Sequence, residues 1–241
     1  MLKTESIKGL IFDYGGTLDT NGIHWSEVLW EMYQKEQVAV TKEQFRESYV
    51  YAERELARQP LIRPEHTFMD VLRTKIDIET LYLLEHRLWD VDELTRRTCT
   101  EHIMLRSYQR VCQVVNVSRS VLKKLSTHFP MVLVSNFYGN MPTILQEFQL
   151  EYFQKIIESS AVGVRKPDPA IFRMGIEALG LHPEETLVIG DSFSKDILPA
   201  RQLGCQTVWL KGAGWGNEQI DESLPSLVLT DISILPEQVL K

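Results

Sequence analysis

An α/β fold, a doubly wound parallel sheet with one helical insertion, is predicted by three observations. Short apolar runs recur along the chain, at residues 10–12, 131–134, 156–157, 187–189, 208–210 and 227–229, and most end in small or polar residues. Each is apolar at successive positions rather than alternately, as parallel strands covered on both faces read. Helical patterns separate the later runs, and strand–helix alternation of this kind builds a doubly wound sheet.

The first run, Leu-Ile-Phe, delivers Asp13 to a strand end, and Gly15-Gly16-Thr17 then turns the chain. Residues 20 to about 112 break the alternation. Glycine nearly disappears after Gly22, and charged residues interleave with Trp30, Tyr33, Phe45, Leu56, Phe68, Leu72, Leu83 and Leu88. That is a helical composition with apolar stripes. Residues 20–112 are expected to form an inserted α-helical subdomain, and 1–19 with 113–241 the α/β core. Pro60 and Pro64 mark a break between its helices. Ser118 is expected to N-cap a helix burying Val121, Leu122 and Leu125. Asp168-Pro169 opens another, with Ile171, Ile176 and Leu179 inward and Gly180 at its end. Ser194 is expected to cap a third, with Ile197, Ala200 and Leu203 inward and Gly204 closing it.

Composition narrows the function classes. A net charge of −7 gives no general attraction to nucleic acid or anionic lipid, so an anionic substrate needs local positive charge. Cys99, Cys112 and Cys205 are far apart and form no CxxC pair, which argues against a disulfide framework or a zinc site. Residues 1–8 are mixed polar and lead straight into a strand, so no signal peptide is expected. No apolar run approaches the ~20 residues needed to cross a bilayer. A cytoplasmic location is the expectation, and oligomeric state is left open.

Ligands of doubly wound sheets bind beyond the strand C-terminal ends. Asp13, Ser135 and Asp191 all lie at such ends. A carboxylate stranded among backbone N–H groups, as Asp13 is, suits attack on an electrophile or metal binding. Read singly, Ser135-Asn136 are also ordinary turn residues, Lys166 an ordinary solvated lysine, and Asp168 a helix cap rather than a catalyst. Residues 212–216, Gly-Ala-Gly-Trp-Gly, lack GxGxxG spacing and are read as a surface loop.

Taken in order, four segments resemble the motifs of the haloacid dehalogenase-like (HAD) superfamily. They are Asp13-Tyr14-Gly15-Gly16-Thr17, then Ser135 with Asn136 beside it. Lys166 follows, in Arg165-Lys166-Pro167-Asp168-Pro169, and last comes Gly190-Asp191-Ser192-Phe193-Ser194-Lys195-Asp196. The resemblance spans residue 7 to about 210. It implies a Rossmann-like core with an inserted helical cap of the C1 type, and a hydrolase acting on a small, phosphorylated molecule. It further implies that Asp13 is the nucleophile, and that Asp13, Asp191 and the backbone carbonyl of Gly15 hold Mg²⁺. Ser135, Asn136 and Lys166 would bind the phosphoryl group, with Asp196 orienting Lys166 or metal-bound water. Asp19 is read as a hinge residue, and the cap would swing on hinges near 19–23 and 105–115.

One position departs from the pattern. Superfamily phosphatases carry a second Asp where this chain has Gly15; it protonates the leaving alcohol and then activates water. Glycine does neither. General acid–base assistance is worth ~10²–10⁴-fold, about 3–5 kcal/mol of barrier. The loss should fall hardest on alkyl phosphates, whose alkoxide leaving groups need a proton. Two other readings follow from the same gap: a low-turnover binding or regulatory protein, and carbon–halogen or carbon–phosphorus hydrolysis. Dehalogenases have an aromatic residue at the position of Gly15 and no need for the metal ligand Asp191. Phosphonoacetaldehyde hydrolases use a cap lysine as a Schiff base. Lys35, Lys42 and Lys75 are instead read as lying on solvated faces.

Overall fold

A computed structural model of the chain describes residues 2–214 and 220–240. All six apolar runs are strands of one parallel sheet: β1 (Gly9–Phe12), β2 (Met131–Ser135), β3 (Lys155–Glu158), β4 (Thr186–Gly190), β5 (Gln206–Leu210) and β6 (Leu227–Leu229). Their order is β3-β2-β1-β4-β5-β6. The chain thus builds outward from β1 on one side, then returns to add β4 on the other. The crevice between β1 and β4 is the switch point at which such sheets bind ligands.

Successive positions of a strand point to opposite faces. Leu10 and Phe12 of β1, Leu133 of β2, and Leu187 and Ile189 of β4 enter one buried cluster. Ile11, Val132, Val134 and Val188 enter another, with Ile171, Phe172 and Ile176. Helices cover both faces, so successive central positions of these strands are apolar. Full burial of each such side chain contributes about 1.5–3 kcal/mol.

Four helices form the insertion: α1 (Trp25–Lys35), α2 (Lys42–Arg58), α3 (Phe68–Glu85) and α4 (Glu93–Leu125). Thr41 and Thr67 open α2 and α3 as capping boxes with Gln44 and Asp70. Pro60 and Pro64 fall between those two helices, as expected. The expected cap at Ser118 is corrected. α4 starts at the Asp92 cap and runs 33 residues, because no glycine or proline interrupts it. Ser118 lies within it and donates from Oγ to the Leu18 carbonyl at 2.7 Å, tying the helix to the end of the β1 turn. Val121, Leu122 and Leu125 are buried as predicted. No chain break marks residues 105–115.

The remaining helices are α5 (Met141–Glu147), α6 (Ser159–Val162), α7 (Ala170–Leu179), α8 (Leu198–Leu203) and α9 (Leu235–Val239). Asp168 accepts from the Ala170 N–H at 2.9 Å and so helps open α7, and Gly180 ends it in the left-handed region. Ser194 does not cap the third helix; Ser192 does. Its Oγ accepts from Lys195 N–H and starts a π turn, Phe193–Ile197, that runs into α8. The wider turn lets Asp196 point back at the sheet.

The α2–α3 connection docks on the core. Thr143 Oγ1 donates to the Pro64 carbonyl (2.6 Å), Asn140 to the His66 carbonyl (2.8 Å), and Phe68 N–H to Glu147 (2.6 Å). Tyr14, next to Asp13, meets the cap's Phe68 and the core's Phe137 edge-on. These contacts hold the cap against the strand ends.

Inside the cap, Glu79 is fully buried and accepts from Tyr33 Oη at 3.0 Å, while its Oε1 has no partner. Burial pushes its pKa from 4.5 up to about 7, against the pull of the Lys75 ammonium. The folded chain thus keeps a proton that the unfolded chain loses near pH 4.5. Glu79 accordingly lowers stability as pH rises through that window, and the penalty is complete above pH 7. Glu79→Gln is expected to raise stability at pH 8 by about 1–3 kcal/mol and to leave it nearly unchanged at pH 4. Urea unfolding at the two pH values measures this; an equal change at both would show that the proton is not involved.

Candidate active site

Asp13 follows the last residue of β1, and its N–H donates to the Ile189 carbonyl of β4 at 2.9 Å. The carboxylate is therefore fixed at the switch point. It is 4% exposed. The chain then turns through Gly16, whose φ of +94° lies in the left-handed region. A side chain there would also collide with the Asp191 carboxyl, 2.4–2.5 Å from a built Cβ. Glycine at 16 is what lets the two carboxylate-bearing strand ends approach.

Lys166 closes the cluster. Its Nζ donates to Asp13 Oδ1 at 2.5 Å and to Asp196 Oδ1 at 2.6 Å, with the side chain almost wholly buried. Burial alone would lower its pKa, but the two carboxylates raise it well above the ordinary lysine value, so it remains an ammonium. Asp196 Oδ2 accepts from the Ser192 N–H, which fixes the carboxylate's direction. Gly190 permits this approach, since a Cβ there would sit 2.5 Å from Asp196. Asp196, expected to orient Lys166 or metal-bound water, thus shares the Lys166 ammonium with Asp13.

Asn136 acts through Lys166. Its Oδ1 accepts from the Lys166 N–H (2.8 Å) and its Nδ2 donates to the Lys166 carbonyl (3.0 Å). Both ends of its amide thus hold the Lys166 backbone in place. Ser135 ends β2, the strand beside β1, and is 1% exposed.

Sequence reading missed the role of Thr17. Its Oγ1 lies 3.2 Å from Asp13 Oδ2 and 3.0 Å from Asp191 Oδ1, and accepts from Asp191 N–H at 3.0 Å. One hydroxyl proton cannot serve two carboxylates. The available signal was a hydroxyl four residues after Asp13, beyond a double glycine.

Ligand oxygens of Asp13, Asp191 and Asp196 can lie within 4.8 Å of one another. Three carboxylates against one ammonium leave a formal charge of −2 in a buried space. Burial first, then Asp13 and Asp196, push Asp191 well above the ordinary carboxylate range, and Asp196 rises to about 6 despite Lys166. Hard oxygen donors with uncompensated negative charge fit a divalent cation, which would relieve both the repulsion and the shortage of protons.

Asp19, read as a hinge, is fully buried and fixed at both oxygens. Oδ1 accepts from Gly16 N–H (2.7 Å) and Oδ2 from the Trp25 indole (3.0 Å). It staples the Asp13 turn to the first cap helix, and burial raises its pKa to about 7.

The solvated reading of the cap lysines needs one correction. Lys35 and Lys42 pair with Glu31 and Glu27 and retain 51% and 35% exposure. Lys75 retains only 7%, pairs with Glu53, and lies 4.0 Å over the Tyr49 ring. Its place on the face of α3 that also carries Leu72, Ile76 and Glu79 was the overlooked signal. Burial opposes its charge, but Glu53 and neighbouring groups raise its pKa above the ordinary value. A Schiff-base lysine needs a neutral amine, so this geometry works against that role. Of the predicted loop at 212–216, Trp215 and Gly216 lie outside the described residues; the Ala213 carbonyl accepts from the His24 N–H at 2.9 Å.

Comparison with known proteins agrees with this architecture. Residues 7–204 match the family model "Hydrolase: haloacid dehalogenase-like hydrolase". A phosphoserine phosphatase of Thermus thermophilus is 42% identical over 59 residues, 24% of each chain. A phosphoglycolate phosphatase of Vibrio cholerae is 31% identical over 127 residues, 52% of this chain and 56% of that one. The chain thus matches between a quarter and just over half the length of these relatives. The magnesium-bound putative HAD-hydrolase YfnB of Bacillus subtilis has the same fold, with TM-score 0.59 and 20% identity over 97% of this chain and 98% of that one. No helix among the described residues is long and apolar enough to cross a membrane. A family match over most of the chain, with Asp13, Lys166, Asp191 and Asp196 gathered at the switch point of the sheet, shows that the chain belongs to the haloacid dehalogenase-like hydrolases.

Proposed function

We propose that the chain is a phosphatase of small molecules, with Asp13 as nucleophile and Mg²⁺ held by Asp13, Asp191 and the backbone carbonyl of Gly15. The observation that supports it best is Lys166, clamped between Asp13 and Asp196 beside an uncompensated carboxylate cluster. Phosphatase relatives of three kinds point the same way.

An Asp13 carboxylate oxygen attacks phosphorus, and the bond from phosphorus to the leaving oxygen breaks with its electron pair going to that oxygen. Lys166 and the Ser135 hydroxyl stabilise charge on the phosphoryl oxygens. Bound Mg²⁺ supplies the charge neutralisation that lets an anionic nucleophile meet an anionic substrate. Water then cleaves the acyl phosphate, restoring Asp13 and releasing phosphate. No side chain at 15 gives the leaving oxygen a proton. Asp19 does not replace it, since both its oxygens are occupied by Gly16 and Trp25. The proton comes from solvent, and leaving groups that depart as stable anions are favoured: aryl, acyl and pyrophosphoryl.

Asp13→Asn is expected to lower p-nitrophenyl phosphate turnover by at least ~10⁴-fold, and EDTA to abolish wild-type turnover reversibly. Haloacid hydrolysis that persisted in EDTA would instead favour the dehalogenase reading. Stoichiometric labelling by acetyl phosphate without repeated phosphate release would favour the regulatory one.

A further inference from the structure

Helices α2 and α3 form a roof over the loops that follow β1 and β2. Tyr49, Ala52, Glu53 and Leu56 follow one another at helical spacing on the inner face of α2. Tyr49 contacts the ring of His24, in the segment joining the Asp13 turn to α1, at 6.1 Å between centroids. Tyr138, from the loop after β2, packs beneath the same helices against the Leu56, Ile62 and Val71 cluster. Through Tyr49 on His24 and Tyr138 beneath Leu56 and Val71, this face of the cap lies over the loops that leave β1 and β2.

Within the roof the two charges of the Lys75–Glu53 pair are presented unequally. The lysine keeps 7% of its side-chain exposure, and its ammonium is enclosed by Glu53 and the Tyr49 ring. Glu53 keeps 41%. Glu53 is thus the member of the pair that solvent reaches. What a bound molecule meets is therefore a carboxylate, held ionised from behind by a cation it cannot reach. Burial acts against that charge, but Lys75 outweighs it and holds Glu53 below the ordinary glutamate value.

We infer that Glu53 is the specificity residue of the leaving-group subsite, selecting phosphorylated molecules whose far end donates hydrogen bonds, above all a cationic amine, over those ending in a carboxylate. This rests on the phosphatase reading for the place of the phosphoryl group on Asp13, and on roof geometry for the rest. A carboxylate-ended substrate would put two anions together in a partly desolvated space, where repulsion is little screened. An ammonium would replace water on Glu53 with a charge-assisted hydrogen bond.

The test uses equilibrium binding to the full chain bearing Asp13→Asn, with Mg²⁺ present, so that turnover is not required. O-phosphoethanolamine and phosphoglycolate are compared by calorimetry, with inorganic phosphate as the reference that lacks a far end. O-phosphoethanolamine is expected to bind at least about 10-fold more tightly than phosphoglycolate. Adding Glu53→Gln should bring that ratio close to one, and Glu53→Asp should restore part of it. Phosphoglycolate binding equally well or better, or a ratio that Glu53→Gln leaves unchanged while phosphate still binds, would overturn the inference. Failure of the unmodified chain to hydrolyse p-nitrophenyl phosphate would count against the phosphatase reading alone.

Discussion

Lys166→Met is expected to abolish turnover and to cost about 3–5 kcal/mol of stability at pH 7.5. The reason is the company Lys166 keeps. Its ammonium is the partner of two buried carboxylates, Asp13 and Asp196, with Asp191 within reach of the same cluster. Without it three acids face one another with no cation from the protein. The folded pKa values of Asp191 and Asp196, already raised, move further above those of the unfolded chain. The variant then holds protons that the unfolded chain releases, so its stability falls as pH rises and recovers as pH is lowered toward 4. Mg²⁺ should restore stability by binding the folded form, in proportion to its concentration, without restoring turnover. Thermal unfolding at pH 5 and 7.5, each with and without Mg²⁺, tests all of this. A loss of stability independent of both pH and Mg²⁺ would mean that lost packing, rather than unpaired charge, is the cause.

The second large effect runs toward gain. Gly15→Asp is expected to raise kcat for an alkyl phosphate by ~10²–10³-fold and to change kcat for p-nitrophenyl phosphate by less than about fivefold. A Cβ built at residue 15 meets nothing within 4 Å, so a side chain can start there without displacing a neighbour. The asymmetry between the two substrates is what identifies the effect. An alkoxide needs a proton in the transition state, whereas p-nitrophenolate does not. Gly15→Ala is the control, filling the space without a carboxyl, and should leave both rates low. No gain on the alkyl substrate with Gly15→Asp would show that another group already supplies the proton.

Much of the fold was legible because the strand signal is dense. Runs such as residues 187–189 are apolar at successive positions only because α-helices cover both faces of the sheet, and the six runs and six strands coincide. The helix starts were less legible. Ser118 and Ser194 look like caps, but a cap exists only where the preceding chain leaves the helix, and α4 has no glycine or proline to make it leave. A hydroxyl in mid-helix instead found the Leu18 carbonyl, a partner 100 residues away.

Asp13 and Asp191 follow directly on β1 and β4, which pair in the sheet, so strand position alone brings them together; Lys166 and Asp196 come from other segments and were named through the motif resemblance. Partnership was decided by tertiary structure alone. Lys75 differs from Lys35 in the sequence only by the helix face it shares with Leu72, Ile76 and Glu79, and that face does not say which charge it meets. What separates them is which helix face turns toward the core, and therefore how much water remains around each charge. Desolvation and the distance to an opposite charge belong to the folded chain, and these two quantities turn a surface-looking lysine into a buried cation.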